Sequence, residues 1–238
     1  MSNPLYTIDS EIFSLFPGYC RGVVLAFEIK NNDSPPEIKA MLKDAEAYLR
    51  ETINIDELAD HPKINSWREA YRAFGAKPAK YRSSIEAMVR RVMNGNELPS
   101  INTVVDIGNV ISLKNIITVG GHAIDVVSND ISLRKATGEE EFIAFGTDKI
   151  ENPEPGEIIF AESNTVLTRR WSWRQANHTS TRKSTTAVEM NVDGLPPVTK
   201  DEVDKICQEA MELIQKYCGG KMRYEILTKE NPEMKLDL

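Results

Sequence analysis

Cysteine and histidine are scarce in this chain of 238 residues, with three of each. Cys20, Cys207 and Cys218 form an odd, widely scattered set. That argues for free thiols in a reducing cytosol and against a disulfide framework. The histidines and cysteines show no ligand spacing, so no metal site is expected, and nothing points to another cofactor. No apolar run is long enough to span a bilayer, and no membrane partner is expected. Met1 to Asp9 lack both a basic n-region and an apolar h-region, so a cytoplasmic protein is expected. A nucleophile elbow, a phosphate-binding Walker loop and a dinucleotide fingerprint are all missing, which removes the commonest signatures of hydrolases, NTPases and NAD enzymes.

What is present is ordinary in amount and uneven in placement. The net charge of −7 argues weakly against nucleic acid. Yet residues 67–91 carry seven Lys or Arg against two Glu, and residues 163–188 carry five against no acid. These stretches total +10 and leave −17 for the rest. A basic face on an acidic protein can hold phosphates, although charge runs are commonly solvated helix faces.

Read in order, Glu11 to Lys30 is apolar and aromatic around Pro17-Gly18 and predicts two strands joined by a turn. Ser34-Pro35-Pro36-Glu37 opens a helix carrying Ile38, Met41, Leu42, Ala45, Tyr48 and Leu49 at a 3.6-residue period. A second helix is expected over Ser66 to Phe74. A third, from about Ala79 to Met93, has Tyr81, Ile85, Met88, Val89 and Val92 as its buried stripe and Arg82, Arg90 and Arg91 facing outward. Asn102 caps a short helix. Strands are then expected at Ile116–Val119, Ala123–Val127, Ile131–Lys135, Glu141–Phe145, Glu157–Ala161 and Val166–Trp171. Thr199-Lys200-Asp201-Glu202 is a capping box, and its helix buries Cys207 and stops at Gly219-Gly220. A last strand is expected over Met222 to Leu227. The expected architecture is one α+β unit over 1–238. Its β-sandwich-like core (65–197) is flanked by helices, and a smaller α/β lobe comes from 1–64 and 198–238.

Three constellations bear on chemistry. In Gly120-Gly121-His122 a histidine follows a flexible pair, where backbone can approach a ligand; a lone histidine is more often structural. From Arg169 to Gln175 aromatic and basic residues alternate. A strand there places Trp171 and Trp173 on one face and Arg170, Ser172 and Arg174 on the other. That is either a base-stacking, phosphate-pairing surface or an edge strand with its indoles packed inward. Thr185-Thr186-Ala187-Val188-Glu189 puts an acid after small polar residues, where a solvated glutamate is the commoner outcome.

The run Ile101-Asn102-Thr103-Val104-Val105-Asp106-Ile107-Gly108-Asn109-Val110, followed by Gly121-His122-Ala123-Ile124-Asp125, resembles the B3/B4 domain. That is the editing domain of the β subunit of bacterial phenylalanyl-tRNA synthetase, where the pattern reads approximately I-N-N-V-V-D-V-T-N-Y-V, then L-H-A-F-D. The resemblance covers roughly residues 65–197. It implies a B3/B4-like fold and a stand-alone, trans-editing deacylase that hydrolyses the ester of a mischarged tRNA. By motif, His122 and Asn109 correspond to catalytic-site residues. Glu189 corresponds to the glutamate that reads the amino-acid side chain, with Arg170, Trp171 and Gly121 beside the substrate. Arg82, Arg90, Arg91, Arg169 and Arg174 are candidates for tRNA phosphates. The synthetase has an Ala/Gly-rich strand where this chain has Arg170-Trp171-Ser172-Trp173-Arg174-Gln175, and Thr where it has Gly108. The pocket floor is therefore rebuilt, and a polar or cationic amino acid is expected in place of tyrosine. The resemblance implies tRNA as partner, and no DNA. Two rivals stand beside this reading: a non-catalytic RNA-binding module of the same fold, and an amino-acid sensor.

Overall fold

In the computed structural model, which describes residues 4–237, regular structure begins at the first described turn of chain. The order is β1 (Leu5–Ile8), α1 (Ser10–Leu15), β2 (Cys20–Phe27), α2 (Pro36–Thr52), α3 (Pro62–Ala73), α4 (Ser84–Met93) and α5 (Thr103–Asn115). Then come β3 (Thr118–Ala123), β4 (Ile131–Lys135), β5 (Phe142–Ile143), β6 (Ile150–Glu151), β7 (Ile158–Glu162), β8 (Thr165–Arg169) and β9 (Arg174–Gln175). The chain finishes with β10 (Ala187–Gly194), α6 (Lys200–Cys218), β11 (Lys221–Leu227) and β12 (Glu233–Lys235).

Two sheets carry the fold. One runs β12-β1-β4-β7-β8-β9 and the other β11-β2-β10-β3, with β5 and β6 as a separate small pair. Among the described strands β1 and β4 pair in parallel, and the other ladders are antiparallel. This is an α+β sandwich, not a doubly wound sheet. The segments at both ends of the chain enter these same sheets, as β1 and β12 in one and β2 and β11 in the other.

The period-2 alternation of the strands decides which face meets which layer. Val188, Met190 and Val192 of β10 join Val24 and Ala26 of β2 in a cluster with Ile107 and Ile111 of α5 and Val203, Ile206 and Ala210 of α6. Helices cover that face. Val23 and Leu25 of β2 turn the other way and pack with Leu133, Phe160 and Leu167 of the facing sheet. Helix α6 lies so close to β2 that a Cβ at Gly22 would sit 2.2 Å from Cys207 Sγ.

Local signals explain most element ends. Asn102 accepts from the Val105 N–H, Ser83 from Glu86 and Thr199 from Glu202, each satisfying a free first-turn donor. Ser34 is not a cap: Pro35 holds that position, and the Ser34 hydroxyl donates instead to Asp106 Oδ2 at 2.6 Å. Asp106 also accepts from the Ser100 hydroxyl and the Ile101 N–H, which pins the entry to α5.

Several expectations are corrected. The first half of Glu11–Lys30 is helix α1, because the Asp9 carboxylate accepts from the Glu11 N–H and starts a turn that buries Ile12 and Phe13. The helix expected from Ala79 starts at Ser84, which frees Tyr81 to pack on Trp173 at 4.9 Å. Strand β3 stops at Ala123 because Asp125 accepts from both the N–H and the hydroxyl of Thr186 and bends the chain away. The Arg169–Gln175 stretch is not one strand. Positive φ at Arg170 (46°) and Trp171 (64°) reverses it between β8 and β9. The two indoles therefore part: Trp171 is buried against Phe16, Tyr19 and Trp67, and Trp173 lies outside on Tyr81.

Candidate functional site

The alternation that turns valines of β10 toward the helices turns Glu189, Asn191 and Asp193 toward the other sheet. Across the ladder to β3 they face His122, Gly120 and Thr118. Arg21 of β2 lies beside Asp193. Gly120 leaves room at the centre of this polar patch, since a Cβ there would meet Asn191 Oδ1 at 2.8 Å. The space is a cavity of about 190 Å³, roofed by Phe160 and Thr168 from the opposing sheet and by the turn from Trp171 to Gln175. Arg21 is neutralised in place: Asp193 accepts from its Nε at 2.7 Å and its Nη2 at 3.0 Å, and Tyr6 accepts from Nη1 at 2.9 Å.

His122 is buried and bonded at both ring nitrogens, to Thr179 Oγ1 at 2.6 Å through Nδ1 and to Thr168 Oγ1 at 3.1 Å through Nε2. Burial, with smaller contributions from Arg21 and His178, holds its pKa down to about 3, so the ring is neutral. One nitrogen then donates and the other accepts, which orients the two threonine hydroxyls. Glu189, fully buried, has Oε1 4.0 Å from His122 Nε2 and accepts from Asn191 Nδ2 at 2.9 Å. Burial pushes its carboxyl up to about 8, against the lowering effects of Arg21 and Asn191. Two residues that line this cavity carry buried polar atoms with no hydrogen-bond partner among the described residues, Thr118 Oγ1 and Trp171 Nε1; Glu189 Oε2, buried behind His122 and outside the lining, has none either. Such atoms are costly in a finished core and ordinary in a site that awaits a ligand.

The other expected residues distribute as follows. Gly121 borders the His122 cavity, and Trp171 closes its inner end from the core. Asn109 does not line this cavity. It lines a second one, of about 260 Å³, on the helix side of β3, and the two share Val119, Gly120, Gly121 and Gln175. Arg170 borders neither. It is buried, 3.2 Å from Glu157, with its guanidinium 3.8 Å over Tyr81, and it lines a third cavity with Lys77 and Lys80. Arg169 is a correction: both Nε and Nη2 donate to Glu157 at 2.9 and 2.8 Å, which leaves a buried ion pair in place of a phosphate donor. Arg82 and Arg174 are exposed. Arg90 donates to Glu86 at 2.9 Å, and Arg91 donates to the Glu97 carbonyl at 2.9 Å.

Sequence reasoning missed Arg21, Thr118, Thr168, Gln175, Thr179 and Asn191. A signal for the last existed: Val188 to Asp193 alternates apolar and polar without a break, which is a strand with one polar face. The others come from elements that meet only in three dimensions.

Among curated proteins no match is found. Among solved structures, the crystal structure of an N-terminal fragment of the phenylalanyl-tRNA synthetase beta-subunit from Pyrococcus horikoshii is similar at 12% identity and a TM-score of 0.48. The match covers 93% of this chain and 51% of that one, so the chain spans about half the length of that fragment. The family profile described as B3/4 domain matches residues 66–219, which takes in α4, α5, the cavity-lining strands β3, β7, β8 and β10, and α6. The chain belongs to the B3/4 domain family.

Proposed function

We propose that this chain is a trans-editing deacylase that hydrolyses the ester of mischarged aminoacyl-tRNA, with 65–197 as the working core and 1–64 and 198–238 as its support. The observation that carries the reading is the pairing of His122 with buried Glu189 beside a cavity lined by two unpartnered polar atoms, Thr118 Oγ1 and Trp171 Nε1. An aminoacyl ester is already activated, so a positioned water suffices. The water oxygen bonds to the carbonyl carbon, the bond to the ribose oxygen breaks, and the water's proton ends on that oxygen. A neutral histidine with both nitrogens engaged is a weak base and a good positioner. His122 aligns the Thr168 hydroxyl, which faces the cavity and holds the water.

Glu189 selects the amino acid. Its unpartnered oxygen meets a polar side chain by hydrogen bond. A cationic side chain draws off its proton and leaves an ion pair where burial otherwise favours the neutral acid. Apolar side chains leave that oxygen orphaned and are rejected. The grip on tRNA phosphates falls to the exposed Arg82, Arg91 and Arg174.

The test is a deacylation screen of the full chain across mischarged tRNAs. Release of a polar or cationic amino acid is expected. His122→Ala slows every substrate, while Glu189→Ala alters which amino acid is removed by about ten- to hundredfold. Salt-dependent tRNA binding with no deacylation of any substrate supports the non-catalytic module instead, and amino-acid binding without tRNA binding supports the sensor.

A further inference from the structure

The turn that roofs the His122 cavity has a second side. Trp171 to Gln175 border that cavity, whereas Arg170, at the start of the turn, lines a separate one of about 290 Å³ with Lys77, Lys80 and Tyr81. The Arg170 backbone lies in the left-handed region, at φ 46°, which a long side chain rarely adopts. Strain of that kind persists where the surrounding fold holds a residue in place, and it gathers at ligand sites. Here it holds a buried guanidinium, Arg170 being 6% exposed, in the angle between two rings that cross at 79°. Tyr81 is 3.8 Å from it and Trp173 4.8 Å. The rings cover its faces and leave its edge to bond.

That edge is incompletely met. Glu157 lies 3.2 Å from Nη2, but both Glu157 oxygens already accept from Arg169, and one also accepts from the Arg170 N–H. Nε and Nη1 of Arg170 have no hydrogen-bond or ion-pair partner among the described residues. Lys77 and Lys80 are exposed and equally without an acid partner there. Lys80 Nζ lies 4.9 Å from the centroid of the same Tyr81 ring, which places two cations around one phenol. Tyr81 registers the surplus charge. The Lys80 ammonium beside its hydroxyl, with help from Arg170 and Arg169, holds the phenol's pKa below its usual value against the pull of burial. The opposing charge at the rim is exposed Glu154. A guanidinium edge, two ammonium groups and a phenol hydroxyl around one cavity suit an anion with several acceptor oxygens.

We propose that the Arg170 cavity is a phosphate-binding site, with Arg170, Lys77, Lys80 and Tyr81 as its donors. The phosphate belongs to a nucleic-acid backbone or to a small phosphorylated molecule, since both offer the same oxygens. The site stands apart from the His122 cavity and does not depend on the deacylase reading.

Nuclear magnetic resonance titration of the full chain with inorganic phosphate tests it, with acetate at matched ionic strength as control. Saturable shifts are expected at the Arg170 Nε–H and at the amides of Lys77, Lys80 and Tyr81, with Gly121 and His122 unmoved. The double variant Lys77→Gln, Lys80→Gln, changed at exposed positions, is expected to bind phosphate about tenfold more weakly. Glu154→Gln, which removes a repelling charge from the rim, is expected to bind it more tightly. Melting of both variants at the parent temperature verifies their folds. Uncharged tRNA distinguishes the two sources. If tRNA displaces phosphate, and the double variant lowers the salt slope of tRNA binding by about two, the site holds a backbone phosphate. If tRNA leaves the phosphate shifts in place, the site stands and takes a small phosphorylated molecule. No saturable shift, shifts confined to the His122 cavity, acetate bound as tightly as phosphate, or undiminished phosphate binding by the double variant overturns the proposal.

Discussion

At the scale of single residues, His122 and Glu189 act on stability in opposite directions. Folding lowers the His122 pKa from 6.5 to about 3, so the unfolded chain binds the extra proton between those values. Its contribution is complete above pH 6.5 and is lost as pH falls toward 3. Folding raises the Glu189 pKa from 4.5 to about 8, so here the native state holds the proton, and stability falls as pH rises from 4.5 to 8. Each unfavourable step is worth about 1.4 kcal/mol per pH unit. Between pH 4.5 and 6.5 the two slopes cancel; above 6.5 that of Glu189 stands alone. Urea denaturation of the parent chain should therefore lose roughly 2 kcal/mol between pH 6.5 and 8 from this source. Glu189→Gln, whose carbonyl still accepts from Asn191, should be flat over that range. A parent curve with no alkaline fall would show that Glu189 is not held neutral.

At the scale of elements, the helices other than α1 were legible and the site strand was not. Asn102, Ser83 and Thr199 announce their helices through side chains that bond within three residues, so the information is local. Strand β10 is different. Its polar residues face inward, because Arg21 donates to Asp193 and Asn191 donates to Glu189 in the interior, and the Arg21 partner lies far away in sequence. The motif resemblance singled out His122 and Glu189 without their facing, which depends on a ladder between β3 and β10. The turn at Arg170-Trp171 was hidden for a related reason: alternation of aromatic and basic residues reads as a strand, while the buried indole needs a reversal. Close approach of elements yields a firm expectation. Gly22→Ala drives a methyl into Cys207 and Val203 of α6 and should cost about 1–3 kcal/mol in urea unfolding. A Gly22→Ala, Cys207→Ala double variant should recover part of that loss, and no recovery would place the strain elsewhere.

At the scale of the whole molecule, the basic excess of the sequence survives folding only in part. Glu86 takes Arg68 at 2.8 Å and Arg90 at 2.9 Å, with Arg82 at 3.9 Å, and Glu157 takes Arg169 and Arg170. Reversing Arg90 would place a second acid beside buried Glu86 and confound folding with binding. Arg91 is the cleaner site for reversal, being exposed and bonded to the Glu97 carbonyl, while at exposed Arg82, 3.9 Å from Glu86, a neutral glutamine avoids a second acid. Arg82→Gln and Arg91→Glu should each weaken tRNA binding across sequences and lower the salt slope by about one, with melting unchanged. Equal slopes for parent and variants would leave this face merely solvated. Among the described residues no helix is long and apolar enough to cross a membrane. The arrangement of β2 has one further consequence, for the chain while it is being made. Every residue from Cys20 to Ala26 is buried, and its two flanking strands, β10 and β11, are translated long after it. Until Leu227 clears the ribosome, an early apolar strand waits with at least one bare edge, a template for any other chain nearby. The strand that backs Glu189 is thus also a segment for a holding chaperone to cover during synthesis.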